Sequence, residues 1–392
     1  MRILALTQMY PRPGADLFAP FNAQQFRQLA RLHELRMIRP VPWTQRRLRD
    51  AVPTLRANQC LNDDVIAVEY PPFFFTPKFG HCYHGHFYLW SVRHTVRRAA
   101  TEFRPDVILS CWAHPDGWAA VQLGRELGIP VVIKVIGSDV LVLARNLRRR
   151  RRVAEALSAA DGVVTVSGDL ACRVAGLGVD PRRIYVVSEG IDQDLFCPGD
   201  QTAARAALKL PVIGKRLLFV GNLLFSKGAG ILLQACKLLR QRGVKFHCDV
   251  VGMGRDEQAL RALSRQLELG EAVTFVGACS HSKLRDWYRA TDLVVLPSFS
   301  EGIPNVLRES VMCGRGFVAT NVGGIPEITL PSLGRLVEPG EPLGLAEAIS
   351  QALVDPIVVN RQTALETNIS WAESARLISE KLRSVLPLGQ PD

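Results

Sequence analysis

The chain has 392 residues, 47% of them hydrophobic, which is enough to bury a full core and too long for one ordinary domain, so two domains are expected. No run of about 18 consecutive apolar residues predicts a transmembrane helix, no signal peptide is read at Met1-Arg-Ile-Leu-Ala-Leu6, and nine scattered cysteines read as reduced thiols of a cytoplasmic protein rather than a disulfide framework. The net charge of +11 is uneven: residues 1–195 hold 26 Lys+Arg against 18 Asp+Glu, a basic half suited to an anionic partner such as phospholipid, a lipid diphosphate or nucleic acid.

Short apolar runs alternate with amphipathic stretches, the pattern of parallel sheets covered by helices on both faces. Strands are predicted near 2–8, 36–41, 65–70, 106–112, 130–136, 161–167 and 184–188, with helices near 20–34, 84–103, 116–127, 148–160 and 168–176. Within this half, the segment from Tyr70 to Trp90 breaks the pattern. Its prolines forbid a central strand, and a long aromatic loop reads as a surface for an acceptor or a membrane as readily as a loop tucked under the domain. His81, Cys82, His84 and His86 lie in it, yet no second ligand cluster accompanies them, so no metal site is assigned. The five arginines Arg148 to Arg152 open a predicted helix, where they serve an anionic surface or form a solvated face.

Residues 188–200, rich in Gly, Pro and Asp, read as a linker. Domains of 1–190 and 191–370 follow, with a last amphipathic helix over 371–387 expected to pack back toward the first domain. The second half predicts strands near 216–221, 246–252, 273–277, 293–297, 317–321 and 335–337 and helices near 228–242, 255–268, 281–290, 304–313 and 342–353. The fold class is α/β, with both halves doubly wound.

Chemistry concentrates in Pro297-Ser-Phe-Ser-Glu-Gly-Ile-Pro-Asn305 and the helix that follows it. An apolar strand ends at Pro297, Glu301 sits in the loop at its carboxyl end, Pro304 opens a helix and Glu309 lies about a turn and a half further on. Carboxylates accept hydrogen bonds from sugar hydroxyls, and the exposed amides at a helix start suit a diphosphate. The combination fits a nucleotide sugar.

With Met9-Tyr-Pro11, Pro115-Asp-Gly117, Gly137-Ser-Asp139, Val166-Ser167, Gly190-Ile-Asp192, the run from Val220 to Lys227-Gly228, Val251-Gly-Met-Gly254, Glu301 to Gly314 and the Trp371 helix, the chain resembles glycosyltransferase family 4 over nearly its whole length, and within it the teichuronic-acid and exopolysaccharide branch. The resemblance implies a GT-B enzyme, two Rossmann-like domains facing a cleft, that retains anomeric configuration. It implies that Glu309 binds the donor ribose, Glu301 contacts sugar hydroxyls, and Gly302, Ile303, Pro304 and Asn305 border the diphosphate and sugar. Lys227 would neutralise the departing diphosphate, Val276 and Gly277 would frame the nucleobase, and Gly14 would approach the phosphates from the other domain. Three positions depart from the family, one of them Glu189 where an asparagine is common before Gly-Ile-Asp. Asn222 replaces an arginine, for which Arg255 is a candidate substitute, and Ile136 replaces a histidine, for which His114 is the nearest candidate.

The expectation is thus a transferase with a UDP- or GDP-linked donor, no cofactor or metal, and a lipid-diphosphate-linked or glycan acceptor. It would work in the cytoplasm or at the inner face of the plasma membrane, and no nucleic acid is expected. A nucleotide-sugar 2-epimerase on the same fold and a catalytically weakened binding scaffold are the alternatives.

Overall fold

The computed structural model describes residues 1–11, 19–45, 66–76, 83–141 and 146–387, and the chain divides into two compact units, Met1–Gly190 with Trp371–Asp392, and Ile191–Ser370. In the first unit, β1 (Arg2–Leu6), β2 (Glu34–Ile38), β4 (Ala67–Glu69), β6 (Val107–Cys111), β7 (Val131–Val135), β8 (Gly162–Thr165) and β9 (Ile184–Val186) form one parallel sheet in the order β4-β2-β1-β6-β7-β8-β9. Val131-Val-Ile-Lys-Val135 shows why: β-branched side chains fill both faces, and every residue of that strand is buried. A separate two-stranded pair, β3 (Val41–Pro42) with β5 (Pro72–Phe73), takes up the start of the proline-rich aromatic segment. Its residues 77–82, with His81 and Cys82, lie outside the described residues, as does Gly14.

The helices flanking this sheet include α1 (Pro20–Leu32), α2 (His84–Phe103), α3 (Trp118–Leu127), α4 (Ser138–Leu141), α5 (Leu147–Ala159) and α6 (Gly168–Ala175). Strand order reverses between β1 and β6, so the loops after these two strands adjoin at the carboxyl edge.

The second unit repeats the plan. Its strands β10 (Arg216–Val220), β11 (His247–Val251), β12 (Val273–Gly277), β13 (Leu293–Leu296), β14 (Phe317–Thr320) and β15 (Gly334–Val337) run parallel in the order β12-β11-β10-β13-β14-β15. Helices α7 (Gln201–Ala207), α8 (Ala229–Gln241), α9 (Glu257–Gln266), α10 (His281–Ala290), α11 (Asn305–Met312), α12 (Pro342–Val354) and α13 (Arg361–Glu366) cover it. Here the order reverses between β10 and β13.

The last helix, α14 (Trp371–Ser384), buries Ala375, Ile378 and Leu382 in the same core as Phe26 and Leu29, and Ser374 donates to the Ser188 carbonyl at 2.7 Å. The supposed linker is more ordered than its composition predicts. Asp192 accepts from the Leu195 amide at 2.9 Å, and Phe196 is fully buried in the core of the second unit.

Candidate functional site

In the second unit the reversal of strand order brings the loop after β10 against the loop after β13. The contact is close because Gly228, at φ 74°, has no side chain: a Cβ there would collide with the Pro297 carbonyl. The Phe299 amide then donates to the Ser226 carbonyl at 2.9 Å. Lys227, at the end of the turn Phe225–Lys227, is thereby delivered to Glu301, and its Nζ lies 2.8 Å from both carboxylate oxygens. Ser298 Oγ donates to Glu301 Oε1 at 2.7 Å, and on the far side the Gly324 amide holds the Gly302 carbonyl at 2.8 Å. Glu301 is buried, whereas the Lys227 side chain keeps 28% of its surface exposed. An ammonium has three donors, so Lys227 can hold Glu301 and still reach an anion arriving from solvent. The cation and the acid expected to act separately therefore form one pair.

Past Glu301 the chain turns through Gly302 and Ile303, both half-buried, into α11. Pro304 occupies the residue before the helix, with φ −78° and ψ 113°, rather than the first helical position expected for it. α11 opens at Asn305, and the start of a helix is an end of its dipole that favours an anion. Glu309, in its second turn, is 5% exposed. Its Oε2 accepts from Tyr288 Oη at 2.7 Å and its Oε1 contacts His281 Nε2 at 3.0 Å. His281 and Tyr288 stand two turns apart on α10 and so share a face. Burial lowers the affinity of His281 for a proton, but the hydrogen bond and charge of Glu309 outweigh it and raise its pKa.

Val276 and Gly277 end β12, both half-buried, and open space lies where a Gly277 side chain would stand. Asn222 is exposed just past β10. Arg255 is exposed too, with Asp256 3.6 Å away.

The first unit treats its own point of reversal differently. Asp116, in the loop after β6, accepts from Tyr88 Oη at 2.5 Å and from the Gln8 amide at 3.0 Å, and burial pushes its carboxyl up to about 7. Asp139 ties the loop after β7 to the same place through the amides of Ala113 at 3.1 Å and Gly137 at 3.0 Å; burial raises it to about 6.

His114 is 6% exposed, with its Nε2 buried and without a hydrogen-bond partner, beside the space that a side chain at Gly85 would fill. Burial first, then the nearby His84, Arg149, Arg152 and His86, lower it to about 4. The ring is enclosed rather than open to solvent, unlike the exposed position a substrate-contacting side chain would take. Arg152 lies over the Trp118 ring at 5.7 Å, and His86 sits tilted beside that ring with centroids 4.7 Å apart. Among the described residues no group of three metal-ligating side chains gathers, and no helix is long and apolar enough to cross a membrane.

Residues 22–195 match the family model described as Glycosyltransferase Family 4, and residues 214–355 the one described as Glycosyl transferases group 1. A D-inositol 3-phosphate glycosyltransferase of Catenulispora acidiphila is 33% identical over 304 residues, covering 71% of this chain and 73% of that protein. The counterpart from Pseudarthrobacter chlorophenolicus is 30% identical over 74% and 73%. The chain belongs to glycosyltransferase family 4. The fold of this glycosyltransferase is GT-B: sucrose-phosphate synthase from Thermosynechococcus elongatus superposes with a TM-score of 0.82 at 20% identity, covering 98% of this chain and 99% of that one. Anabaena HepE, solved in complex with UDP-glucose, does so with a TM-score of 0.75 at 20% identity over 98% and 100%.

Four residues around the glycosyltransferase's second-unit site escape the motif reading: Ser298, His281, Tyr288 and Phe196. The spacing of seven between His281 and Tyr288 was available as a signal that both side chains face one way. Phe196 was hidden because its segment lacks any periodicity. The buried Lys134, 3.1 Å from Glu189, could have been flagged as a lone cation in an apolar strand, where burial demands a partner.

Proposed function

We propose that this glycosyltransferase binds a UDP- or GDP-linked sugar in its second unit and transfers the sugar, with retention of configuration, to a phosphate-bearing acceptor recognised by its first. The observation that carries the donor half is the junction of Lys227, Glu301 and the start of α11 at the point where strand order reverses. Breaking the bond between the anomeric carbon and phosphate builds negative charge on the leaving diphosphate and positive charge on the sugar. A fixed ammonium and helix amides at the phosphate lower that barrier, while the Glu301 carboxylate accepts from sugar hydroxyls. Glu309 takes the ribose, and Val276 and Gly277 flank the base. No side chain acts as nucleophile; the acceptor attacks on the face the diphosphate leaves, and its proton passes to the donor phosphate.

The acceptor half rests on the first unit's charge. Arg149 and Arg152 lie beside His114, with Arg152 over the Trp118 ring, and the exposed Arg148, Arg150 and Arg151 share α5 with them. A phosphate group is the ligand this chemistry recognises. Two sources fit: a polyol phosphate, after the names of the relatives, or the head group of a lipid diphosphate in cell-surface polysaccharide synthesis at the inner leaflet. Exposed Trp90 (75%) and Tyr83 (59%) near the start of α2 favour a membrane-facing acceptor, since such rings settle at the lipid–water boundary.

The deciding experiment has two stages. UDP-, GDP- and ADP-sugars are first screened by thermal shift, where a true donor at about 100 times its Kd stabilises by roughly 2.7 kcal/mol. The donor found is then offered with inositol phosphate in solution, or with a lipid diphosphate in vesicles containing anionic lipid, and the anomeric configuration of the product is read by NMR. Product of retained configuration in either arm supports the proposal and names the source. Inversion, conversion of the donor to its 2-epimer without acceptor, or transfer only to uncharged sugars overturns it.

A further inference from the structure

Glu309 is buried among donors that come from outside its own helix, and this determines more than its position. Tyr288 Oη reaches one carboxylate oxygen at 2.7 Å and His281 Nε2 the other at 3.0 Å. Neither ring is loose. Phe196, fully buried, meets His281 edge-on with centroids 4.9 Å apart and Tyr288 with centroids 5.9 Å apart, and such edge-to-face contacts hold a ring plane. One segment near the start of the second unit therefore braces both side chains that hold the acid.

We propose that His281 and Tyr288 are positioning residues that fix the Glu309 carboxylate so that it recognises the two neighbouring hydroxyls of a ribose, making them the source of selection for ribonucleotides over 2′-deoxyribonucleotides. The inference rests on the reading of Glu309 as the ribose-binding acid. Each carboxylate oxygen offers about two lone-pair directions. With one on each oxygen occupied from the α10 side, the remaining pair is held in place for two hydroxyls on adjacent carbons. A glutamate free to rotate would have to be ordered on binding. Here that ordering cost falls on folding, and the acceptor pair is preorganised. The selectivity follows because a buried, oriented acceptor left without its hydroxyl is worse than one that can turn to water.

The test is calorimetric titration of the full chain with UDP and 2′-deoxy-UDP, or with the GDP pair if the donor screen selects guanine. Wild type, Glu309→Gln, His281→Leu, His281→Gln and Tyr288→Phe are compared. His281→Leu and Tyr288→Phe are expected to weaken ribonucleotide binding about tenfold while moving 2′-deoxynucleotide binding less than about twofold. His281→Gln, which keeps a donor nitrogen, is expected to restore most of the discrimination. Turnover at saturating donor should stay within about threefold for all three, because ribose contacts are equal in ground and transition states. Equal weakening of both nucleotides would mean that the rings merely support the fold, and unchanged discrimination would mean that they do not orient the acid; either overturns the inference. Glu309→Gln separates it from the reading beneath it. If that variant binds ribonucleotide as wild type does, Glu309 is not the ribose acid. If it is weakened while Tyr288→Phe and His281→Leu are not, only the positioning role fails. Should His281→Leu not fold, Tyr288→Phe and His281→Gln still decide.

Discussion

The two units share one architecture and use the same point of it in opposite ways. Where strand order reverses in the second unit, each acid meets a donor that suits it: Glu301 has Lys227 and Ser298, and Glu309 has His281 and Tyr288. At the corresponding point of the first unit, Asp116 is buried with a phenol and an amide and is pushed up to about 7, while His114 is pushed down to about 4 by burial and then by the bases near it. The first arrangement is set before any ligand arrives and fits one chemistry. The second sets the half-buried Arg149 and Arg152 beside a buried imidazole held neutral, with Arg152 partly paired to Glu155. Equivalent backbone places side chains at equivalent points, and under the proposed function their charges divide donor from acceptor work.

The largest effect should come from breaking the second unit's ion pair. Lys227→Ala is expected to lower kcat by about 10²–10³, the scale of losing one electrostatic contact to a developing charge, while donor affinity falls less than about tenfold. Because the substitution also strands the buried Glu301, a Tm measurement and the double variant Lys227→Ala/Glu301→Gln accompany it. The double variant should recover stability and not turnover. If turnover returns together with Tm, Lys227 serves the fold rather than the leaving group.

The first unit is tested by proton linkage. The folded state holds His114 near pH 4 against 6.5 for a free imidazole. Between those values the unfolded chain binds more protons, so the contribution of His114 is fully present above pH 6.5 and is lost as pH falls through 4. Asp116 and Asp139, raised to about 7 and 6, act in the opposite direction: their contribution is present below their unfolded value and fades as pH rises through the folded one. Wild type alone would mix these trends. The difference in denaturation free energy between wild type and His114→Gln isolates the imidazole, and it should change by up to about 3 kcal/mol from pH 6.5 to 4. A difference independent of pH would show that His114 is not held neutral.

Much of this was legible in the sequence, and the exceptions have physical causes. Apolar runs such as Val131–Val135 and Leu293–Leu296 announce buried parallel strands, because both faces must be apolar. Glu301, Lys227 and Glu309 stand out because loop and helix-start chemistry is local. What stayed hidden is set by contacts across the sheet. That Lys227 pairs with Glu301, 74 residues away, depends on β10 lying beside β13, and no local pattern encodes strand order. Helices α7 and α13, of seven and six residues, are too short to show a period. Arg148 to Arg152 looked like a single charged patch; the helix turns Arg149 and Arg152 inward and leaves the other three exposed.

That division of the arginine run gives the smallest expected effect and the sharpest distinction within the first unit. Residues three apart share a helix face. Arg149 and Arg152 face the cluster around His114, and Arg152 also pairs with Glu155 at 2.8 Å. Arg148 and Arg150 point to solvent, and Arg151 is spent in part on the same Glu155 at 3.1 Å. If the inward pair binds the acceptor phosphate, Arg149→Gln/Arg152→Gln should raise the KM for that acceptor about tenfold, the worth of a charge-assisted contact partly open to water. Donor affinity should not move, because Lys227, Glu301 and Glu309, the side chains proposed to hold the donor, belong to the other unit. The outward set predicts a different phenotype: Arg148→Gln/Arg150→Gln should leave the KM for a soluble acceptor unchanged and reduce only co-sedimentation with anionic vesicles. A basic residue near such a surface contributes about 1 kcal/mol, and added salt should abolish that binding by screening. Should both double variants raise the acceptor KM alike, the run acts through its total charge, and the facing of the helix has no bearing on which anion the first unit receives.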